Sequence, residues 1–305
     1  MNILLTGASG FVGNHFCGHD SIKRVVVRDS DNCSHWHSQQ YQVDAIDGRT
    51  CWSGAFDGIK SIIHLAGLAH NNFYSINDYQ TVNVDGTLHL AREAAKVSVK
   101  RFVFVSSIGV NGSETQRTPF SPISIENPHN DYAKSKYDAE LGLKKIALET
   151  GLEVVIVRPT LVYGRNAPGN FGSLTSLVSK FPILPFGLIN NKRDFIAVQN
   201  LVDLLITCAK HPNAAGHIFL ASDCETVSIQ EFTDAIATGL GRKIYQLPIP
   251  AFLMASAARF VGKSAMANQL LGNLQVDSSN AYEVLGWKPP YTMKQAMASL
   301  SEIKQ

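Results

Sequence analysis

A doubly wound, mostly parallel α/β sheet with a smaller C-terminal lobe is the fold this sequence predicts, and three observations predict it. Short β-branched runs recur at 2–7 (NILLTG), 24–29 (RVVVRD), 61–67 (SIIHLAG), 101–107 (RFVFVSS) and 152–159 (LEVVIVRP). They are continuously apolar rather than alternating, which is the pattern of strands covered on both faces. Helical segments at 79–98 and 131–150 lie between them, and right-handed crossovers place such strands in one parallel sheet. After Arg158-Pro159 the composition changes: residues 164–192 are rich in Gly, Pro and Asn, as in loops and short elements that cover a pocket.

The later elements follow in order. RDFIAV (193–198) and GHIFLAS (216–222) read as further strands. Ser228 with Glu231 makes a capping box that opens the helix IQEFTDAIATGLG, and Gly239 and Gly241 can close it. The chain therefore divides into a first domain over 1–163, with return segments about 193–222, and a lobe built from 164–192 and 223–305. The longest apolar stretch, 249–262, contains Arg259 and is too short to span a bilayer. It reads as an amphipathic helix resting on the protein's own core.

Composition narrows the classes of function. The 305 residues are 45% apolar and 17% charged, with a net charge of +2 and no Lys/Arg block, so the electrostatic footprint of a nucleic-acid binder is missing. The five cysteines (17, 33, 51, 208 and 224) show no CxxC spacing and are expected as reduced thiols of a cytoplasmic protein. His35 and His37 flank Trp36 without Cys or acidic partners, so a loop is expected there and no metal site. Met1 runs straight into the first strand with no basic region or cleavage site, so no signal peptide is expected.

Chemistry begins at TGASGFVG, which sets Gly7, Gly10 and Gly13 directly after the first strand. A tight turn, a close backbone approach to a pyrophosphate and the packing of the next helix on the strand each require a glycine. The helix N-terminus then offers free N–H groups and a positive dipole end to the phosphates. The second strand ends in both Arg28 and Asp29. Asp suits the ribose hydroxyls of NAD and Arg the 2′-phosphate of NADP, so either cofactor is open. Asp44, after the third strand-like run, is placed to hydrogen-bond an adenine or to cap a turn.

The second chemical feature is NPHNDYAKSKYDAE at 127–140. Tyr132 and Lys136 are four residues apart on a helix and share one face, which continues as Ala139, Leu143, Ile146 and Ala147. That face turns inward. Lys134 points elsewhere, and Tyr137 has Leu141 rather than a base at its fourth position. A nearby ammonium stabilises a phenolate, so Lys136 is expected to lower the Tyr132 pKa and make it a usable acid/base for carbonyl–alcohol interconversion. Ser106 and Ser107, at the carboxyl end of a buried parallel strand, can orient the substrate oxygen.

These motifs together resemble the extended short-chain dehydrogenase/reductases, in their nucleotide-sugar branch around UDP-glucose 4-epimerase. HLAG (64–67), NVDGT (83–87), VSSIGVNG (105–112), YAKSK (132–136), RPTLVYG (158–164), RDFIAVQNLVD (193–203) and LGWKPP (285–290) fall in that family's order. The resemblance implies a Ser107–Tyr132–Lys136 triad, with Lys136 also on the nicotinamide ribose and Asn83 supporting the site. It implies cofactor contacts from Gly7, Gly10, Phe11, Val12 and Gly13 in the first turn, and from Arg28, Asp29, Asp44 and Ala45 further on. Leu65, Ala66, Gly67, Asn83, Tyr132, Lys136 and Pro159 complete that set. Arg193 matches a residue that binds the nucleotide diphosphate, and Asn170 a substrate contact. A homodimer through the helices at 79–98 and 131–150 is also implied.

Two departures from the family pattern refine the expected reaction. The family's 4,6-dehydratases carry an Asp-Glu pair after the catalytic Ser/Thr, whereas Ile108 and Gly109 follow Ser107 here. Loss of water from the sugar is therefore not expected. No Arg lies between 264 and 276, where related epimerases often hold the diphosphate. The late segments look most like a bacterial subgroup acting at C4 of UDP-N-acetyl amino sugars. The leading expectation is NAD(P)-dependent reduction of a UDP-4-keto-6-deoxy-N-acetylhexosamine for surface polysaccharides, and the close alternative is 4-epimerisation with retained NAD. A steroid- or flavonoid-type ketone reductase is disfavoured by Arg193, and a non-enzymatic NAD(P) sensor by the presence of both Tyr132 and Lys136.

Overall fold

The structure is a computed structural model that describes residues 2–28, 35–69, 73–260 and 269–301, without the side chains of 257 and 258. Its described residues include strands β1 (Ile3–Thr6), β2 (Ile22–Val27), β3 (Gln39–Gln42), β4 (Ser61–His64), β5 (Arg101–Val105) and β6 (Glu153–Pro159). Then come β7 (Leu161–Tyr163), β8 (Ile183–Leu184), β9 (Arg193–Ala197), β10 (Ile218–Ala221), β11 (Thr226–Val227) and β12 (Tyr245–Gln246). The helices are α1 (Phe11–Asn14), α2 (Ile76–Tyr79), α3 (Thr87–Lys96), α4 (Asp131–Thr150), α5 (Gly169–Lys180), α6 (Val198–Lys210), α7 (Ile229–Gly239) and α8 (Ala251–Phe260).

Seven strands form one sheet in the order β10-β6-β5-β4-β1-β2-β3, and every neighbouring pair is parallel. This is a doubly wound, Rossmann-like fold. The chain order reverses between β1 and β4, so a crevice opens beyond their carboxyl ends. Burial on both faces explains the apolar runs: β1 and β4 have no exposed residue. On one face Leu90, Ala94, Ala139, Leu143 and Ile146 of α3 and α4 pack on Ile62, Phe102 and Ile156. On the other, Leu201, Leu204 and Leu205 of α6 pack on Ile63, Val103 and Val155. A third core gathers Phe171, Val178, Phe195, Phe232, Ile236 and Met297, with the Phe195 and Phe232 rings stacked at 3.8 Å.

The structure corrects several expectations. The helix expected over 79–98 starts at Ile76, behind a Ser75–Asp78 capping box, and ends at Lys96 because Ser98 turns left-handed (φ 59°). Its middle, Gln80–Gly86, is π-helical. That wider turn holds Asn83 inward, where its side chain bonds sideways rather than along the helix. Residues 169–180, expected as loop, form the three-turn helix α5. Gly, Ser and Asn are poor helix formers, but Phe171, Leu174 and Val178 bury at helical spacing in the third core, and packing overrides propensity.

The helix after the glycine turn is a single turn, so its dipole is far weaker than a full helix would supply. RDFIAV is a strand, but β9 joins β7 and β11 in a separate three-stranded sheet; of the return segments only β10 enters the central sheet. Gly241 (φ 66°), rather than Gly239, supplies the left-handed step after α7; Gly239 is the last helical residue. Helix α8 forms and rests Met254 on the third core, while Phe252, Leu253 and Phe260 are 67%, 49% and 92% exposed. No described helix is long and apolar enough to cross a membrane. Four cysteines are free thiols; Cys33 lies outside the described residues.

Candidate active site

The glycine turn folds tightly on itself and on the loop after β4. Gly7 has φ 73°, and a Cβ there would stand 2.8 Å from the Ala66 nitrogen. A Cβ on Gly13 would stand 2.0 Å from the Gly7 carbonyl oxygen, which accepts a 3.1 Å bond from the Gly10 N–H. Thr6 Oγ1 fixes the opposite wall by accepting from the Ala66 N–H (3.1 Å) and bonding His64 Nδ1 (2.7 Å). His64 Nε2 reaches Thr87 Oγ1 at 2.9 Å. Burial, then the Lys136 charge, push the His64 pKa down to about 3, so this bridge between β1, β4 and α3 uses a neutral imidazole.

The other expected cofactor residues lie along the carboxyl edge of the sheet. Phe11 and Val12 are half-buried on α1, with the Phe11 ring beside Gly164. Leu65, Ala66 and Gly67 follow β4, and buried Pro159 ends β6. Arg28 is exposed just beyond β2, whereas Asp29 lies outside the described residues. Asp44 and Ala45 are exposed beyond β3, and the Ala45 carbonyl accepts from Thr50.

Ser107, Tyr132 and Lys136 come together on two elements. Strand alternation separates the two serines: Ser106 turns into the core and donates to Glu140 Oε1 at 2.5 Å, while Ser107 turns to the crevice. Ser107 Oγ accepts from the Gly109 N–H (3.1 Å) and hydrogen-bonds the Tyr132 hydroxyl. Asn130 caps α4 through the Ala133 N–H (2.8 Å), which sets where Tyr132 leaves the helix. Lys136 is buried; its Nζ donates to the Val105 carbonyl at 3.0 Å and lies 4.8 Å above the Phe104 ring. Burial lowers its pKa to about 8, against the pull of Glu140.

The expected lowering of the Tyr132 pKa is not what this geometry produces. Burial, then the neighbouring Tyr79 hydroxyl, push it up to about 12, and only the Ser107 bond works the other way. Lys136 donates one of its three ammonium N–H groups to the Val105 carbonyl. Tyr132 is therefore held as an acid.

Asn83 joins the cofactor loop to the triad helix. Its Oδ1 accepts from the Leu68 N–H (2.7 Å) and its Nδ2 donates to Ser135 Oγ (3.0 Å). A Cβ on Gly67 would meet Asn83 Oδ1 at 2.9 Å and Lys136 Nζ at 3.3 Å. Gly7, Gly13 and Gly67 leave no room for a Cβ, so bare backbone lines the glycine turn and the loop after β4, and Gly67 stands beside Lys136. These residues fit a nicotinamide dinucleotide. Arg193 and Asn170 belong to a different wall: Arg193 Nη1 donates to the Gly272 carbonyl (2.9 Å) and Asn170 Nδ2 to Gln269 (3.4 Å). Burial lowers the Arg193 pKa to about 10, where it remains cationic at neutral pH.

Behind the triad lies a network that motif reading missed. Glu140, two turns after Tyr132 on the same face, is fully buried with Arg158. Arg158 donates to Glu140 through Nε (2.9 Å) and Nη2 (2.5 Å), to Asn111 (3.0 Å) and to Glu126 (3.2 Å). The signal was present as a carboxylate at the i+8 position of an otherwise inward face.

Comparison with known proteins places the chain in a family. Residues 3–221 match the NAD dependent epimerase/dehydratase family. The chain belongs to that family. A UDP-glucose 4-epimerase of Vibrio cholerae is 38% identical, over 99% of this chain and 94% of that protein. The Escherichia coli O157:H7 N-acetyl-alpha-D-glucosaminyl-diphospho-ditrans,octacis-undecaprenol 4-epimerase is 24% identical, over 97% of this chain and 93% of that protein. In fold, the chain is similar to the Thermotoga maritima UDP-glucose 4-epimerase structure with UDP-glucose: TM-score 0.73, 22% identity, covering 99% of this chain and 97% of that one. This member of the epimerase/dehydratase family is an enzyme.

Proposed function

We infer that the enzyme interconverts C4 epimers of a UDP-sugar with a retained nicotinamide cofactor. The observation that carries this reading is end-to-end similarity, at 38% identity, to a UDP-glucose 4-epimerase. The local geometry supports it. Gly7, Gly10, Phe11, Val12, Gly13, Leu65, Ala66, Gly67, Asn83 and Pro159 would hold the cofactor, with Arg28, Asp44 and Ala45 at its adenosine end. Bound, it would accept and return the C4 hydride. Tyr132 would exchange the proton of the C4 hydroxyl, and Ser107 would hold the same oxygen. Lys136 would keep positive charge beside the reacting centre, and Arg193 and Asn170 would take the diphosphate and the sugar. The chain divides accordingly into a cofactor domain over 1–163, with return segments about 193–222, and a substrate lobe.

A second reading, reduction of a UDP-4-keto-6-deoxy-N-acetylhexosamine with NADH or NADPH, is favoured by one observation: Tyr132, raised to about 12, stands ready to donate a proton. One assay separates them. The purified enzyme is expected to interconvert UDP-GlcNAc and UDP-GalNAc, or UDP-Glc and UDP-Gal, with no added cofactor. Stoichiometric oxidation of NAD(P)H by the 4-keto sugar, without epimerisation, would establish the reductase instead.

Two outcomes follow from this assignment. With Lys136 lowered to about 8, its ammonium is complete below that pH and lost above it, so kcat is expected to fall as pH rises through about 8. Lys136→Arg keeps a cation and is expected to remove that limb from the pH–rate profile. Arg193→Ala is expected to raise KM for the UDP-sugar about 10–100-fold with a smaller change in kcat, read by steady-state kinetics. We also assign a cytoplasmic location and a homodimer through α3 and α4. Leu141 and Leu148 lie two turns apart on α4 and are 47% and 89% exposed, as an unpaired helix face would be.

A further inference from the structure

Strands β8 and β12 pair in parallel, with Ile183 opposite Tyr245 and Leu184 opposite Gln246. Alternation sends Leu184 and Gln246 inward: Leu184 is buried, and Gln246 Nε2 bonds Thr233 and Asp234. The outer face therefore shows Ile183 and Tyr245, with Phe181 two residues before Ile183 and Leu247 two residues after Tyr245. All four are exposed, at 51%, 70%, 54% and 46%. The ribbon runs on into α8, whose Phe252 and Leu253 are exposed as well.

The exposed charge around this ribbon is mainly cationic. Lys180 precedes β8, and Arg242 and Lys243 precede β12; all three are exposed. Because the strands are parallel, both basic ends fall at the same end of the ribbon. The segments 176–192 and 240–260 together carry five cations (Lys180, Lys192, Arg242, Lys243, Arg259) and no carboxylate. With a net charge of +2 for the chain, all other residues sum to −3. One carboxylate, Asp234, bonds Gln246 and is half-buried in a hollow it shares with Arg242, Lys243 and Tyr245.

We propose that this ribbon and the exposed side of α8 rest on an anionic lipid bilayer surface. Exposed aromatic and aliphatic side chains insert at the headgroup level, and long Lys and Arg stems bury while their charges stay at the lipid phosphates. A second copy of the chain is a poorer occupant. A two-fold contact would set this cationic end against itself or a neighbouring apolar strip, with no carboxylate of either segment to pair it. The proposal concerns attachment and is independent of which C4 reaction the enzyme performs.

Co-sedimentation of the full chain with vesicles tests it. Pelleting is expected with vesicles containing about 30% phosphatidylglycerol and not with pure phosphatidylcholine, and is expected to be lost at about 0.5 M salt. Lys180→Glu/Lys243→Glu is expected to weaken partitioning about tenfold or more, and Tyr245→Ser/Leu247→Ser similarly, with the thermal midpoint of each variant showing that it is folded. A third variant, Ile183→Ser alone, serves if either pair does not fold. No pelleting by the wild type, or equal pelleting by folded variants, would overturn the proposal. So would a change of oligomeric state in those variants by analytical ultracentrifugation, since the ribbon would then be a contact between copies.

Discussion

Tyr132→Phe is expected to reduce kcat by about 10²–10⁴-fold while KM changes little. The variant removes one oxygen. The ring keeps its edge contact with Tyr79, at 6.1 Å between centroids, and its place on α4, whose start is set by Asn130 rather than by the phenol. The lost hydrogen bond to Ser107 costs about 1 kcal/mol of stability at most, so the protein should fold and bind nucleotide normally. Catalysis loses its proton donor at an atom no neighbour replaces: Tyr137 projects from another face, and Tyr79 reaches the Ala69 carbonyl. Turnover numbers with either C4 substrate pair, beside a thermal melt, check this. Residual activity above about a tenth would remove Tyr132 from the proton path.

Glu140→Ala is expected to destabilise the fold by about 3–5 kcal/mol, measured by urea unfolding. Glu140 and Arg158 are both fully buried, and removing the carboxylate leaves a guanidinium whose nearest remaining carboxylate, Glu126, is bonded at 3.2 Å and a quarter exposed. Burial opposes the Arg158 charge, and the bonds and charge of Glu140 more than offset that, so its pKa is raised in the intact protein. Ser106 loses its acceptor in the same variant. Replacing both partners, as in Glu140→Leu/Arg158→Met, should cost less than Glu140→Ala, because no unpaired charge stays inside. The network also ties the segment after β5 to β6 and α4, and these carry Ser107, Pro159 and Lys136. Breaking it should therefore lower kcat even where the variant remains folded. Equal stability of Glu140→Ala and the wild type would show the pair contributes nothing to holding the site.

Much of the fold was legible because its cause is local. Strands covered on both faces must be mainly apolar, and residues 3–5 of β1, Ile62 and Ile63 of β4 and residues 102–105 of β5 are. Gly7 and Gly13 were legible for a similar reason: only a residue without Cβ fits 2.8 Å from Ala66 and 2.0 Å from Gly7. What escaped had its cause at a distance. Helix α5 exists because Phe171, Leu174 and Val178 meet a core formed partly by Phe195 and Phe232, and no propensity within 169–180 announces that. The π turn at Gln80–Gly86 answers to Leu68 and Ser135, which bond Asn83 from other elements.

The sequence by itself determined the chemical inventory: a glycine turn after a buried strand, a serine at a strand end, and a tyrosine and lysine one helical turn apart. Residue type and spacing along one element suffice for that. Only the tertiary structure decided what those groups are worth. It turned Ser106 to Glu140 and Ser107 to Tyr132. It put one Lys136 N–H on the Val105 carbonyl, and it buried Tyr132 beside Tyr79, which raises the phenol. Protonation and orientation depend on burial and on partners far apart in the chain, and those distances close only when the sheet assembles.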